Sequence, residues 1–319
     1  MMRRIALFTV AALAAMAAQA QPYPARAVRL VVPYVPGGGT DFTARVIAPK
    51  LSEALGQQVV VENRPGGGTN IGSELVARAA PDGYTLLMAG AANAINMSLF
   101  AKPPYDAQRD LAPISLSVKG ANVLMVHPSL PVKNLRELLA LARAQPGKLN
   151  YASSGIGSAN HMAGELLKLV AKVNIAHVPY KGNAPALTDL IGGHVEILIS
   201  GVPAVIGQIK NGRVRAIAIA SLKRFPALPD TPTIDESGLK GFEATTWFGV
   251  MAPVKTPREI IARLNSDLAR ITTAADVRER FIGEGVEPIG GPPELFATFL
   301  REEIEKYAKV VKAAALTAE

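Results

Sequence analysis

Short β-branched runs alternate with segments of helical periodicity from the start of this chain, and this alternation restricts its possible folds more than any other feature. Val28 to Val32, Val59 to Val61 and Thr85 to Ala89 are typical of buried strands. The stretches between them, Phe42 to Leu51 and Ile71 to Ala80, repeat apolar residues at helical spacing. A β-α-β-α-β order predicts a parallel sheet with right-handed crossover helices.

The same alternation continues to the end of the chain. Further strands are predicted at 122–126, 149–152, 176–178, 195–199, 215–220 and 247–251, with helices at 134–144 and 159–171. Two long amphipathic helices follow, the last of them at 294–312. A chain of 319 residues is too long for one ordinary core and suits two domains of about 150 residues each. The predicted fold class is therefore α/β with two lobes.

The two predicted lobes have no Ser/Pro-rich linker between them, so we expect the chain to cross between lobes within its strands. Strands near Leu124 and Ala218 mark the expected crossings. They divide the sequence into four segments: 1–20, a signal peptide; 21–124, the first part of lobe 1; 125–220, lobe 2; and 221–319, the second part of lobe 1.

The first twenty residues have the organisation of a secretory signal peptide. Arg3 and Arg4 precede an apolar run over 5–18, and Ala18-Gln19-Ala20 matches a small-x-small cleavage site. No later run reaches 18 apolar residues, and without cysteine the chain has neither a lipid-anchoring site nor a disulfide. The sequence predicts cleavage near Ala20 and a soluble protein in the periplasm of a Gram-negative cell.

Charge and composition narrow the class of partner. The 34 Lys and Arg residues exceed the 26 Asp and Glu residues, and the mature chain keeps an excess of six after the leader's two arginines are removed. The basic residues are dispersed, and aromatic residues make up only 5% of the chain, too few for the stacking surfaces of single-strand binders. Hydrophobic residues at 49% exclude a disordered chain. These features disfavour nucleic acid and leave an anionic surface or a small anionic ligand as the expected partner.

Three Gly- and Ser-rich loops lie at predicted strand-to-helix junctions, over 33–41, 65–70 and 151–161. Such junctions present unpaired N–H groups and the positive end of a helix dipole to an anion. In parallel sheets they gather at the carboxyl ends of the strands, where open α/β sheets bind ligands. Two alternatives stay open: the loops are structural turns only, and Asp41 caps the first helix.

Sequence motifs of known enzyme classes are not found. The chain has no G-x-S-x-G or P-loop string, and Asn160 replaces the third glycine of a dinucleotide fingerprint. His161 and Glu165 are spaced to share a metal, but a side-chain pair one helical turn apart is the simpler interpretation. We therefore predict no catalytic residues, no metal and no cofactor. The alternative is an exported serine-type hydrolase that uses Ser158 with His161.

The loops, in this order, resemble the extracytoplasmic solute receptors of tripartite tricarboxylate transporters, the Bug-type family. The resemblance covers nearly all of the mature chain and rests on eight strings: Pro33 to Asp41, Glu62 to Gly68, Tyr151 to Glu165, Val178 to Gly182, Ala184 to Leu190 with Gly193, Pro232 to Leu239, Trp247 to Pro253, and Thr256-Pro257.

The resemblance implies a two-lobed periplasmic binding protein of the type II class, with the ligand cleft between the lobes. It further implies a small organic carboxylate as ligand, a membrane permease as partner and a monomeric receptor. Two loops, matching Gly37 to Asp41 and Ser153 to His161, would hold the carboxylate through backbone N–H groups, hydroxyls and water. A ligand sensor for a membrane signalling partner is the alternative.

The expected ligand-binding residues follow from that match. Gly38, Gly39, Thr40 and Asp41 in lobe 1 and Ser153, Ser154, Gly157, Ser158 and His161 in lobe 2 are expected to form the carboxylate site. Ala91 and Asn93 would line the cleft, Tyr34 would pack on the ligand's carbon skeleton, and Lys181 is either a cleft charge or a surface lysine. Ser200 stands where many relatives carry an acidic residue, which favours plain carboxylates over amino acids as ligands.

Overall fold

The computed structural model describes residues 23–318, which form two mixed β-sheets covered by helices. The predicted signal peptide, residues 1–20, lies outside the described residues. The first sheet has six strands in the order β11-β4-β10-β3-β1-β2. Their bounds are β1 Val28–Val32, β2 Val59–Asn63, β3 Thr85–Gly90, β4 Leu111–Gly120, β10 Thr246–Pro253 and β11 Val286–Pro288.

The second sheet has five strands in the order β7-β6-β8-β5-β9. Their bounds are β5 Asn122–Val126, β6 Asn150–Ser153, β7 Ala176–Pro179, β8 Ile197–Gly201 and β9 Arg215–Ile219. In both sheets the strands of the β-α-β units pair in parallel, as the alternating pattern predicts. The strands that enter each sheet from the other one, β5 and β10, pair antiparallel with their neighbours, which the pattern does not predict.

Ten α-helices cover the sheets within the described part of the chain. They are α1 Gly39–Leu55, α2 Asn70–Ala77, α3 Ala91–Leu99, α4 Leu135–Ala144, α5 Ala159–Ala171, α6 Asn183–Ile191, α7 Val202–Lys210, α8 Arg258–Thr273, α9 Ala275–Gly283 and α10 Pro293–Ala313. Over residues 23–318, no helix combines the length and the apolar character needed to cross a membrane.

The chain changes sheet twice, and the two crossings lie side by side. The first is at Ala121, between β4 and β5, and the second lies between β9 and β10. The buried side chain of Asn122 donates from Nδ2 to the carbonyl of Ala244, at 2.7 Å. Ala220 completes the junction, because its N–H donates to Asn122 and its carbonyl accepts from Ala244. The first change of sheet therefore comes a few residues before Leu124.

Helix α10 packs against both halves of the molecule, through α3 beside the first sheet and α5 beside the second. One continuous cluster of buried apolar side chains runs through this region and includes residues of both sheets. At its centre the fully buried Trp247 of β10 donates from Nε1 to Glu303 Oε2, at 2.9 Å. Glu303 is itself buried, and its second oxygen pairs with Lys306 on the next turn. This carboxylate therefore joins α10 to the strand that follows the second crossing.

We expect Glu303→Ala to lower the free energy of unfolding by about 2–4 kcal/mol, because it leaves the Trp247 N–H unsatisfied in the core and removes the partner of Lys306. Urea denaturation followed by tryptophan fluorescence measures the change. Glu305→Ala, two residues on and exposed, is the matched control and should stay within about 0.5 kcal/mol of the wild type. Equal midpoints for both variants would contradict the proposed role of Glu303.

Candidate functional site

A cleft of about 670 Å³ opens where the two sheets meet, and both sheets contribute to its lining. Its floor is the first crossing, residues 120–122, and its walls come from the start of α1, the starts of α5 and α7, strand β10 and the segment after α9. The volume lies within the range of small-molecule sites, about 300–1,000 Å³. The position of the cleft matches the one that the sequence predicts for a ligand.

The first wall is the Gly-rich start of α1. Gly37, Gly38 and Gly39 line the cleft, and the helix begins without a side-chain cap at Gly38. The N–H groups of its first turn are therefore available to an anion from the cleft side. Gly39 also packs against the ring of Phe248, because a Cβ at position 39 would lie 2.9 Å from that ring. Any larger residue there would move the aromatic wall of the cleft.

Asp41 supports this loop from behind and does not line the cleft. Its buried carboxylate accepts hydrogen bonds from Gly37 N at 3.0 Å, Arg45 Nε at 2.9 Å and Asn63 Nδ2 at 2.9 Å. Burial by itself would raise the pKa of Asp41, but these hydrogen bonds and the charge of Arg45 outweigh it and lower the pKa. Asp41 therefore holds the Gly-rich turn in place. Its neighbour Thr40 is buried and is likewise not among the lining residues.

The second wall is a polar cluster at the starts of α5 and α6 and the end of β8. Asn160 donates to the carbonyl of Ile199 at 2.7 Å and accepts from Ser154 Oγ at 2.9 Å. Ser200 Oγ donates to Asn183 Oδ1 at 3.0 Å. Asn160, Asn183 and Ser200 line the cleft, and the amide nitrogen of Asn183 makes no hydrogen bond within the described residues. A ligand oxygen can accept from that amide.

The remaining wall is apolar and carries one charge. Phe42, Phe248 and Val286 line it, and Phe42 packs edge-on against Phe281 with ring centroids 6.4 Å apart. Glu284, exposed at the end of α9, is the one ionisable side chain among the described lining residues. No lysine or arginine of the described chain lines the cleft. The donors that face a ligand are therefore backbone N–H groups, amides and hydroxyls.

The loop that precedes α5 is backed by two stacked histidines. His161, 1% exposed, lies on His177 with ring centroids 3.9 Å apart. His161 Nδ1 accepts from Gly157 N at 3.1 Å, and His177 Nε2 lies 2.6 Å from Ser153 Oγ. Gly157 has a left-handed backbone (φ 76°), and a side chain there would overlap Leu99 of α3. Ser153 and His161 thus fix the shape of the loop from the protein interior.

The hydroxyl of Ser158 caps α5 by accepting from the backbone N–H of His161, at 3.2 Å. The pair is not arranged as nucleophile and base, because the Nδ1 atom of His161 is bonded to Gly157 and its Nε2 atom faces Glu165 at 4.0 Å. Glu165 also accepts from Tyr151 and Lys168. Within residues 23–318, no group of three or more His, Asp or Glu side chains is placed to hold a metal ion.

Of the fourteen expected ligand-binding residues, the cleft lining includes three: Gly38, Gly39 and Ser200. Asn93, expected at the cleft, is fully buried and bonds to Gly90 N, Ser73 Oγ and Tyr105 Oη. The amide of Asn93 therefore joins the start of α3 to the core, which corrects its expected position at the cleft. Seven more lie outside the lining as the structure has it: Tyr34, Ala91, Ser153, Ser154, Gly157, Ser158 and Lys181.

Tyr34 and Lys181 are two of these seven residues outside the cleft lining, and their surroundings show their roles. The Tyr34 hydroxyl points towards the end of β3, next to Gly90, and burial raises its pKa. The Tyr34 ring therefore packs under the loop instead of over a ligand. Lys181 is exposed and makes no ion pair with any residue of the described chain.

Most of the other cleft residues were not expected from the sequence, among them Phe42, Asn122, Asn160, Asn183, Phe248 and Glu284. The sequence could have indicated Asn160, since it stands between Ser158 and His161 in the third loop. The others come from a helix face, a chain crossing and a strand that are far apart in sequence. Only the meeting of the two sheets brings them together.

Burial and the neighbouring His177 lower the pKa of His161 from 6.5 to about 4. A lowered folded-state pKa means that the unfolded chain binds this proton first as the pH falls. The contribution to stability is therefore complete above pH 6.5 and is lost as the pH falls towards 4, by about 2–3 kcal/mol. Thermal unfolding between pH 7 and 4 should show the loss. His161→Gln should flatten that pH dependence, and exposed His194→Gln should leave it unchanged.

Comparison with known proteins places the chain in a family. The sequence profile of the tripartite tricarboxylate transporter family receptor matches residues 43–316. BugT of Bordetella pertussis is 39% identical over 310 residues, which cover 97% of this chain and 95% of BugT. The chain belongs to this family of Bug-type receptors, whose members are solute-binding proteins.

Solved structures agree with that assignment. An R. palustris protein solved with adipate has a TM-score of 0.81 at 38% identity, covering 92% of this chain and 99% of its own. The periplasmic binding protein BugD has a TM-score of 0.79 at 37% identity, covering 93% and 100%. The prediction of an α/β, two-lobed binding-protein fold is thereby confirmed, and the protein is a receptor of this class.

Proposed function

We propose that this receptor captures a small organic carboxylate in the cleft between its sheets and presents it to the permease of a tripartite tricarboxylate-type transporter. The observation that carries the proposal is the lining of the cleft. It has uncapped helix N–H groups at Gly38 and Gly39 on one side and, on the other, the side-chain amide nitrogen of Asn183, which makes no hydrogen bond within the described residues. An anion is the ligand that such donors favour. The adipate bound by the R. palustris relative supports a carboxylate.

The two sheets serve in this proposal as the two lobes, which close on the ligand. Lobe 1 carries the first sheet and lobe 2 the second, so the lobe boundaries lie at the two crossings, the first at Ala121 and the second between β9 and β10, close to the expected divisions at 124 and 220. Ser154 then contributes its backbone N–H group when the lobes approach each other, and Thr40 contributes that of the first loop. Gly157 and Ser158 keep the second loop in shape, because their N–H groups donate to His161 Nδ1 and to the carbonyl of Gly155. The receptor acts as a monomer in the periplasm, after cleavage near Ala20, and binds without chemical turnover.

The buried hydroxyl of Thr43 adds a donor on the lobe 1 side. Thr43 is fully buried, belongs to the lining, and its Oγ1 has no hydrogen-bond partner within the described chain. An unpaired buried hydroxyl costs about 1–3 kcal/mol, which a ligand or water oxygen would recover. A ligand with a polar atom beside the start of α1 therefore binds more tightly.

A panel of acids and their amides tests the ligand class. We expect one or more carboxylates to raise the midpoint of thermal unfolding by about 6 °C at a thousandfold excess over Kd, and the matching amides to leave it unchanged. Each amide keeps the carbon skeleton of its acid and replaces one charged acceptor oxygen with a neutral NH2 group. The protein is first unfolded and refolded to remove bound ligand. A folded protein that responds equally to an acid and its amide would overturn the proposal.

A substitution at Ala204 tests from the side of the protein whether the ligand is an anion. It is exposed, lines the cleft and lies in the first turn of α7, where an acidic side chain favours the helix. Ala204→Asp should therefore fold normally and bind the identified carboxylate about tenfold more weakly, through like-charge repulsion.

Ala204→Asn has almost the same shape and no charge, so it is the control and should bind within about twofold of the wild type. Isothermal titration calorimetry measures both. Equal affinities of the Asp and Asn variants would contradict an anion in the cleft.

A further inference from the structure

The described lining of the cleft has one negatively charged side chain and no positively charged one. This imbalance affects how many carboxylates a ligand can carry. Backbone N–H groups and amides surround the starts of α1, α5 and α6. Glu284 lines the same cleft, and no lysine or arginine among the described lining residues offsets it. The donor groups can form hydrogen bonds with one carboxylate. A second one would have to be desolvated without a cation, next to a carboxylate of the protein.

Glu284 is placed to act on a ligand. It directly follows the last residue of α9, and its N–H donates to the carbonyls of Arg280 and Phe281. The C-terminal end of a helix carries a partial negative charge, which adds to that of the carboxylate. Arg280 lies one turn earlier, but no ion pair joins it to Glu284 or to any other described acidic residue. The negative charge at this side of the cleft is therefore uncompensated.

The wall beside Glu284 is apolar. Phe248 packs against Gly39 at the donor side, and Val286 packs against Gly120 in the floor. Phe42 completes the wall, and its own ring rests on Phe281. A ligand that extends from the donor groups therefore contacts aromatic and aliphatic carbon. Burial of a hydrocarbon body against this wall stabilises the complex.

We infer that the cleft selects a monocarboxylate with an uncharged apolar body, and that Glu284 is a specificity residue that disfavours a second carboxylate. This inference rests on the proposed function, since it assigns the first carboxylate to the helix-start donors. It also separates this receptor from its adipate-bound relative, because adipate is a dicarboxylate.

Three six-carbon acids that differ only at the far end test the inference: hexanoate, adipate and 6-aminohexanoate, ending in a methyl, a carboxylate and an ammonium group. 4-Methylbenzoate, terephthalate and 4-(aminomethyl)benzoate form a matched aromatic set. Calorimetric titration of the refolded protein should show hexanoate or 4-methylbenzoate binding about tenfold or more tightly than its dicarboxylate partner.

Glu284→Gln keeps the shape and removes the charge. We expect it to tighten dicarboxylate binding about three- to tenfold while changing monocarboxylate binding less than about twofold. Glu279→Gln, an exposed position on α9 outside the cleft lining, is the control and should alter neither.

The outcomes separate this inference from the proposed function. If a dicarboxylate binds the wild type as tightly as its monocarboxylate partner, or if Glu284→Gln leaves their ratio unchanged, the inference is wrong and the carboxylate receptor stands. If the ammonium acids bind most tightly and lose that advantage in Glu284→Gln, Glu284 instead recognises a cation and the inference is also wrong. If no acid of either set and no carboxylate of the acid-and-amide panel binds the folded protein, the proposed function itself fails.

Discussion

The rest of the structure depends on the junction where two segments of chain pass side by side between the sheets. The side chain of Asn122 fastens the first crossing to Ala244 in the second, and the backbone of Ala220 bonds to both. Asn122 is 5% exposed, so a break here would leave polar groups unsatisfied in the interior, at about 1–3 kcal/mol. Because residues 120–122 are also the floor of the cleft, a change in the angle between the sheets would alter the cleft directly.

The proposed function has the cleft bind its ligand mainly through backbone N–H groups, and the magnitudes of such contacts are sufficient for a receptor. A Kd of about 1 μM requires about −8.2 kcal/mol. Charge-assisted hydrogen bonds contribute about 1.5–3 kcal/mol each, so three or four of them, together with apolar contact on Phe42 and Phe248, reach that value without a salt bridge. An arginine would add affinity for any anion. N–H groups fixed by helix geometry favour a carboxylate only where its oxygens reach them.

The sequence predicts the strands and helices well where apolar residues carry a clear period, as from β1 to β3. It does not mark β4, because Ser115 and Ser117 interrupt its apolar residues, although both serines are fully buried in a sheet covered on both faces. Two of the three predicted loops, over 33–41 and 151–161, contribute residues to the cleft, but the pattern does not predict which side chains line it. Whether a side chain such as Asn93 points to the cleft or the core depends on tertiary packing, which local pattern does not contain.

Side chains and backbone have different roles in the loops, which explains why the sequence predicts the loops better than the residues that line the cleft. The side chains that make the loop motifs recognisable, Asp41, Ser158 and His161, bond to their own backbone and hold each turn from the protein side. These bonds occupy the N–H groups of Gly37, Gly157 and His161, and the uncapped N–H groups at Gly38 and Gly39 remain to face the cleft. A motif of this kind specifies an anion site and carries no information about the rest of the ligand. Ligand identity is then decided outside the motifs, by residues such as Phe248 and Glu284 that the junction of the sheets brings into reach.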